Sequence, residues 1–354
     1  MQRNFGLDLL RCIAIVGVVI SHLTDSMTAH NFAAVIPVDL FFSLSGFLIA
    51  QMMVERFDGI SSPAAFWAFM TNRWLRTIPL YLLALCAYLC FLLTLASQPV
   101  NIPSILTRYV LFIQYIPWSH DSEARIPFFL ISWSLAIEEW FYLLCPLLLL
   151  LAGSRSRRFF VGVAASLVMA SITYRLAVSV ALPSIPDSII HTSTLTRGDA
   201  FVYGIAAYFV VTRGIGHRRA MMLAGLTLAT VNFLALMSAS ESLYCRVLIP
   251  SLAPLSMALV IPAALTLKAH PILARTAAWL STRTYAVYLF NVLVVAFTFP
   301  PGHHTVFRSL AFVVATGLLA DFLYRYVERP FMRLRPMRTL AAIPTLDPVR
   351  AERS

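Results

Sequence analysis

Residues 7–49, LDLLRCIAIVGVVISHLTDSMTAHNFAAVIPVDLFFSLSGFLI, place three groups capable of acid–base or electrostatic chemistry in apolar surroundings: Arg11, His22 and Asp39. Ionisable side chains in hydrocarbon-like sequence are costly, which makes all three functional-site candidates. Eleven residues of helix turn about three times, so Arg11 and His22 share nearly one face, separated by roughly 16 Å of rise. The two apolar runs of this stretch are antiparallel, so the end of the first meets the start of the second, and His22 and Asp39 are expected as neighbours. A positioned imidazole can take the proton of a hydroxyl as that hydroxyl attacks a carbonyl, and a carboxylate beside it would orient the ring. The bland alternatives are an Arg11 that snorkels to headgroups and a His22 satisfied in the core.

Further along, RWLR sets Arg73 and Arg76 three residues apart, a pair that projects together on a helix. Two guanidiniums so placed form a fork for phosphate; the alternative is ordinary charge on the cytoplasmic side, just before a helix that starts near Pro79. SWSLAIEEWFY at 132–142 puts Ser134 and Glu138 on one face, and an ion pair of the acid with Arg197 or Arg246 is its structural alternative. Arg175 lies within an apolar run and needs a partner. Tyr285, Tyr288 and Asn291 form a polar group late in the chain. Asp321, Arg325 and Glu328 have the spacing of an intrahelical ladder, with Pro330 expected to end that helix. Ser43, Ser45 and Gly46 suit close helix approach.

The elements that must position these residues are membrane helices. Of 354 residues, 59% are hydrophobic and only 12% charged, and mean hydropathy is +0.79. Soluble domains carry about 25% charged residues, and a membrane helix needs roughly 20 apolar ones. Ten such runs are expected, at 7–24, 34–54, 75–96, 129–152, 159–182, 199–212, 219–238, 244–267, 285–299 and 306–326. The run 104–117, broken by Arg108, Gln114 and Pro117, reads as a lip or re-entrant segment. The expected fold class is therefore an all-α polytopic bundle, with a membrane domain over 1–335 and a basic, loose cytoplasmic tail over 336–354. With both termini in the cytoplasm, 20 of the 27 Lys and Arg residues fall inside and five outside, leaving Arg11 and Arg175 within runs. That is the positive-inside bias, and it accounts for the net charge of +11 without nucleic acid. The first run has no cleavage site and leads at once into a second, so it reads as a span rather than a signal peptide. Cys86 and Cys90 share a helical face but have no histidine companion, so no metal site is expected.

These motifs resemble those of acyltransferase family 3, the polytopic membrane acyltransferases that include O-antigen, exopolysaccharide, Nod-factor and macrolide acylases. The resemblance covers about residues 5–333. It is carried by Arg-x10-His (Arg11, His22), VDLFFSLSGFLI, Arg73-x-x-Arg76 followed by IPLY, WSLAIEEWFYLLCPLLL, RGDAFVYG, YAVYLFN and YRYVERP. Two departures stand out. Asn291 occupies a position where the family commonly has histidine, which argues against catalysis on that helix, and no SGNH-type domain follows, which reads as a stand-alone member. The resemblance implies transfer of an acyl group, usually acetyl, from cytoplasmic acyl-CoA to a hydroxyl of a carbohydrate or glycolipid acceptor at the cell (inner) membrane. His22 is then the base, with Asp39 and Glu138 as further catalytic candidates and Arg11, Arg73 and Arg76 on the donor. A covalent acyl-histidine is a variant of that chemistry. The competing class is a transporter or flippase for a lipid-linked sugar or small solute.

Overall fold

The computed structural model describes residues 3–23, 35–56, 62–96, 99–116, 126–152, 157–214, 216–239, 242–298 and 306–336. Nearly all of the tail expected at 336–354 lies outside the described residues, as do Pro117, Arg125, His30, His120, His303 and His304. Among the described residues every regular element is helical. Among the described residues nine helices are long and apolar enough to cross a membrane, and Val202–Thr212 is a shorter apolar one. The protein is an all-α polytopic membrane bundle.

The first three elements are α1 (Phe5–Leu23), α2 (Val35–Arg56) and α3 (Pro63–Leu95). Helix α3 starts a full twelve residues before the run read from hydropathy, with the Ser62 side chain capping Ala65 N–H. Its 33 residues extend about 50 Å, more than a bilayer's roughly 30 Å core. Part of α3 therefore extends beyond the hydrocarbon, and exposed Trp67 and Trp74 in its first turns suit an interface. Arg73 and Arg76 are thus in mid-helix, not ahead of it. Pro79, expected near a helix start, is accommodated within α3.

The lip at 104–117 is a nine-residue helix, α4 (Ile102–Val110). It is followed by a turn in which Phe112 takes φ 56°. A phenylalanine rarely adopts that left-handed conformation. Here the Tyr81 ring packs 4.7 Å from it and the Trp140 indole donates to its carbonyl.

Next come α5 (Ser132–Ala152), α6 (Arg157–Ala181), α7 (Asp187–Thr192) and α8 (Val202–Thr212). Helix α8 has 11 residues, about half the length a crossing needs. The non-helical residues before it complete the path. Arg197 pairs with Asp39, Tyr208 packs on Phe47, and Thr212 reaches the level of Gln51 and Met52. Residues 197–212 therefore run parallel to 39–52. Irregular backbone at membrane depth is tolerated only when buried in protein, and Asp199, Ala200 and Phe201 are fully buried. Glycine permits this contact: a Cβ at Gly204 would collide with the Ser43 carbonyl, and one at Gly46 with the Phe201 carbonyl. The close approach expected at Gly46 is what the packing uses, with Gly204 as its counterpart.

The remaining helices are α9 (Arg218–Ala239), α10 (Ile249–Ala264), α11 (Pro271–Thr298), α12 (Val306–Leu323) and α13 (Arg329–Arg333). A π-helical turn, Tyr244–Leu248, leads into α10, and another, Tyr324–Glu328, joins α12 to α13. Pro330 does not stop the helix as expected, because it sits in the first turn of α13, where its missing N–H is not needed. Helix α1 packs between α2 and α11. Arg3 and Arg335, near the two ends of the described chain, both line one cavity.

Candidate functional site

A cavity of about 750 Å³ opens between α1, α2, α3, α5, α11 and the turn after α12. Its wall carries Arg11, Arg73 and Arg76, with Arg3 and Arg335 toward the chain ends. Three acids share it: Asp8, Glu138 and Glu328. The deep end is formed by Val38, Phe41, Phe42, Ser134 and Tyr288.

The three inner arginines are held loosely. Arg11 reaches Asp8 only at 3.7 Å, while Asp8 is taken up by Arg3 at 3.0 Å and by the Ser281 hydroxyl at 2.6 Å. Arg73 lies 3.8 Å from Glu138 and stacks 3.9 Å above the Tyr142 ring. Arg76 makes no hydrogen bond or ion pair among the described residues, although the charges of Arg73 and Glu328 act on it. Like charges whose counterions are long or shared make an anion site, because an incoming phosphate supplies the closer acceptors. Glu138 also accepts from the Ser45 hydroxyl at 2.8 Å, and its neighbour Glu139 accepts from Thr77 at 2.8 Å. Both acids of the EE pair thus point into the bundle.

At the deep end the Tyr288 hydroxyl bonds Ser134 Oγ at 2.6 Å and the Ile131 carbonyl at 3.1 Å. The Phe41 ring meets Tyr288 edge-on at 6.3 Å. One turn beyond Tyr288, and outside the cavity lining, buried Asn291 holds His22: Nδ1 to Oδ1 is 2.5 Å. The amide orientation is fixed, because Asn291 Nδ2 donates to the carbonyls of Val287 and Tyr288 at 3.0 and 2.7 Å. Its Oδ1 must therefore accept, so a proton sits on His22 Nδ1, and in the neutral ring Nε2 keeps its lone pair. Helix α1 carries both Arg11, in the cavity wall, and His22, outside the cavity lining.

An acyltransferase domain matches residues 4–325. The chain belongs to this acyltransferase family. It is similar to the O-acetyltransferase OatA of Staphylococcus aureus, 26% identical over 363 residues covering 96% of this chain and 58% of the relative. It is also similar to the peptidoglycan O-acetyltransferase OatA of Listeria monocytogenes, 25% identical over 361 residues, 93% of this chain and 56% of that one. A putative O-acetyltransferase of Staphylococcus aureus is 29% identical over 156 residues, 42% of this chain and 25% of the relative. The chain spans less than three-fifths of the length of OatA. No solved structure is significantly similar.

In this acyltransferase-family chain the residues singled out from sequence divide into two places. Arg11, Arg73, Arg76, Ser134 and Glu138 meet in the cavity. His22 stands just beyond it. Asp39 belongs to neither, which corrects the expected His22–Asp39 pair. Asp39 is fully buried in an ion pair with Arg197, whose other amine donates to the Pro250 carbonyl at 3.1 Å. Glu138 takes Arg73 as partner rather than Arg197 or Arg246, and Arg246 pairs with Asp187 at 2.9 Å. The partner of Arg175 is Asp199, gripped by both guanidinium nitrogens at 3.1 and 3.2 Å. The ladder after α12 is half realised. Asp321 bonds Arg325 at 2.7 Å and also Arg283, while Glu328 turns into the cavity. Two residues gain a place that spacing alone did not give them. In sequence Asn291 reads as a departure from the family pattern and Glu328 as part of the ladder. The signal for Asn291 was its position three residues after Tyr288, on a helix already marked as polar.

Proposed function

We propose that this protein is a membrane O-acyltransferase, moving an acetyl group from acetyl-CoA to a hydroxyl of a carbohydrate or glycolipid acceptor. The observation that carries the reading is the alignment of an anion-ready arginine cavity with a histidine whose Nε2 has no partner among the described residues, one behind the other along α1. The nucleotide phosphates of the donor bind Arg11, Arg73 and Arg76, and Glu138 keeps Arg73 turned toward them. The pantetheine arm runs along α1 past Tyr288 and Phe41 toward His22. His22 Nε2 takes the proton of the acceptor hydroxyl as its oxygen attacks the thioester carbonyl. The carbon–sulfur bond then breaks, the proton passes from the imidazolium to the departing sulfur, and CoA leaves as the thiol. Asn291 keeps the ring in the tautomer this requires. Asp39 acts at a distance, by fixing Arg197 and with it the broken segment against α2.

The orientation that fits puts both chain ends and the cavity mouth in the cytoplasm, where acyl-CoA is found. The names of the OatA relatives support a polysaccharide of the cell envelope as acceptor. A carrier for solutes has no need of a base beyond an anion cavity. The test is acetyl transfer from radiolabelled acetyl-CoA in sealed vesicles containing the full chain. Label should reach envelope glycan only when the donor is on the side of the chain ends. Glycan labelling that does not depend on the chain would refute the reading.

A further inference from the structure

Glu328 is 3% exposed, lines the cavity, and makes no hydrogen bond or ion pair among the described residues; its Oε1 is buried without a partner. A buried carboxylate left in that condition is unfavourable unless something completes it. The charge nearest in influence is Arg76, which is equally uncommitted. The two oppose each other across the same cavity without touching.

The local backbone explains how Glu328 comes to be there. In a regular helix it would share a face with Asp321 and Arg325, which pair with each other. The π turn Tyr324–Glu328 adds one residue to the register. Tyr324 and Glu328 then face the cavity, while Asp321 and Arg325 face Arg283 and the outside. Such turns recur at functional sites because they re-aim side chains in this way.

A free acceptor beside a free cation suits a ligand group that carries a hydrogen-bond donor next to an anion. Ribose bearing a 3′-phosphate is such a group, since its 2′-hydroxyl and phosphate stand on adjacent carbons. We propose that Glu328 and Arg76 form a nucleoside subsite: Glu328 accepts the ribose 2′-hydroxyl and Arg76, with Arg335 nearby, takes the 3′-phosphate. Arg11 and Arg73 are then left for the diphosphate deeper in the cavity. This rests on the acyl-CoA reading above and deepens it.

The experiment measures binding of three ligands to the full chain in lipid nanodiscs: CoA, 2′-deoxy-CoA and 3′-dephospho-CoA. Hydrogen bonds to a charged partner contribute enough to separate ligands by about 10-fold or more. Wild type should therefore prefer CoA over each analogue by at least about that factor. Glu328→Leu should bind CoA and 2′-deoxy-CoA equally while still preferring CoA to the 3′-dephospho form, and isosteric Glu328→Gln should fall between. Arg76→Gln should lose the preference over 3′-dephospho-CoA instead. A Glu328→Leu variant that keeps the wild-type preference over 2′-deoxy-CoA overturns the subsite. So does equal loss of all three ligands in both Glu328 variants, which would assign the residue to the fold. If wild type binds none of the three, it is the acyl-CoA reading that fails.

Discussion

Replacing Asn291 by leucine separates holding His22 from holding the donor. The side chain keeps its size but loses the oxygen that accepts from His22 Nδ1 at 2.5 Å. The two carbonyls that Asn291 Nδ2 contacts belong to α11 and retain their helical N–H donors. In the transition state the imidazole becomes cationic, so the lost bond is one to a charged group, worth about 1.5–3 kcal/mol. At about 1.36 kcal/mol per factor of ten, turnover should fall about 10- to 150-fold. Asn291 does not line the cavity, so the dissociation constant for CoA should stay within about twofold of wild type, well under 1 kcal/mol. The assay is single-turnover acetyl transfer, normalised to protein that binds CoA. Wild-type turnover in well-folded Asn291→Leu would refute the argument that this amide selects the reactive tautomer. A loss confined to donor affinity would show that α11 shapes the cavity rather than the base.

Other outcomes follow from the same structure. Arg73→Lys and Arg76→Lys keep the charge but lose the planar fork, so each should weaken CoA binding about 10-fold while the protein still inserts, measured by calorimetry in nanodiscs. Asp39→Ala leaves Arg197 buried and unpaired, a loss of about 3–5 kcal/mol, and should remove the protein from membranes by immunoblot; adding Arg197→Leu should restore part of it. Reporter fusions after Pro301 and Ser354 should read outside and inside respectively, and a C-terminal fusion that reads outside would overturn the orientation.

Much of the bundle was legible because hydropathy and charge bias respond to the membrane directly. The two ends of α1 were legible for a related reason: a spacing of eleven residues specifies a face whatever the helix packs against. Partners were harder, since they depend on tertiary contact. Asp39 pairs with Arg197, 158 positions away, and nothing in the run VDLFFSLSG shows that. Hydropathy places the start of the third span at residue 75, but the Ser62 cap starts α3 at Pro63, and the turns between carry the approach to Arg73 and Arg76. The ladder assigned to Glu328 assumed 3.6 residues per turn, and one π turn was enough to send that carboxylate to the other side. Asn291 was discounted because an amide cannot itself be a base. It orients one instead, a role that becomes visible only with the geometry.

The central claim is that His22 is the group that takes the acceptor's proton. The most direct test is turnover of His22→Ala per molecule of CoA-binding protein, using labelled acetyl-CoA and envelope glycan. Removing a positioned general base costs about 10²- to 10⁴-fold. Turnover should fall by at least that factor with CoA affinity unchanged. Wild-type turnover in a His22→Ala protein that inserts and binds CoA would contradict it, and would move the chemistry into the cavity, to Glu138.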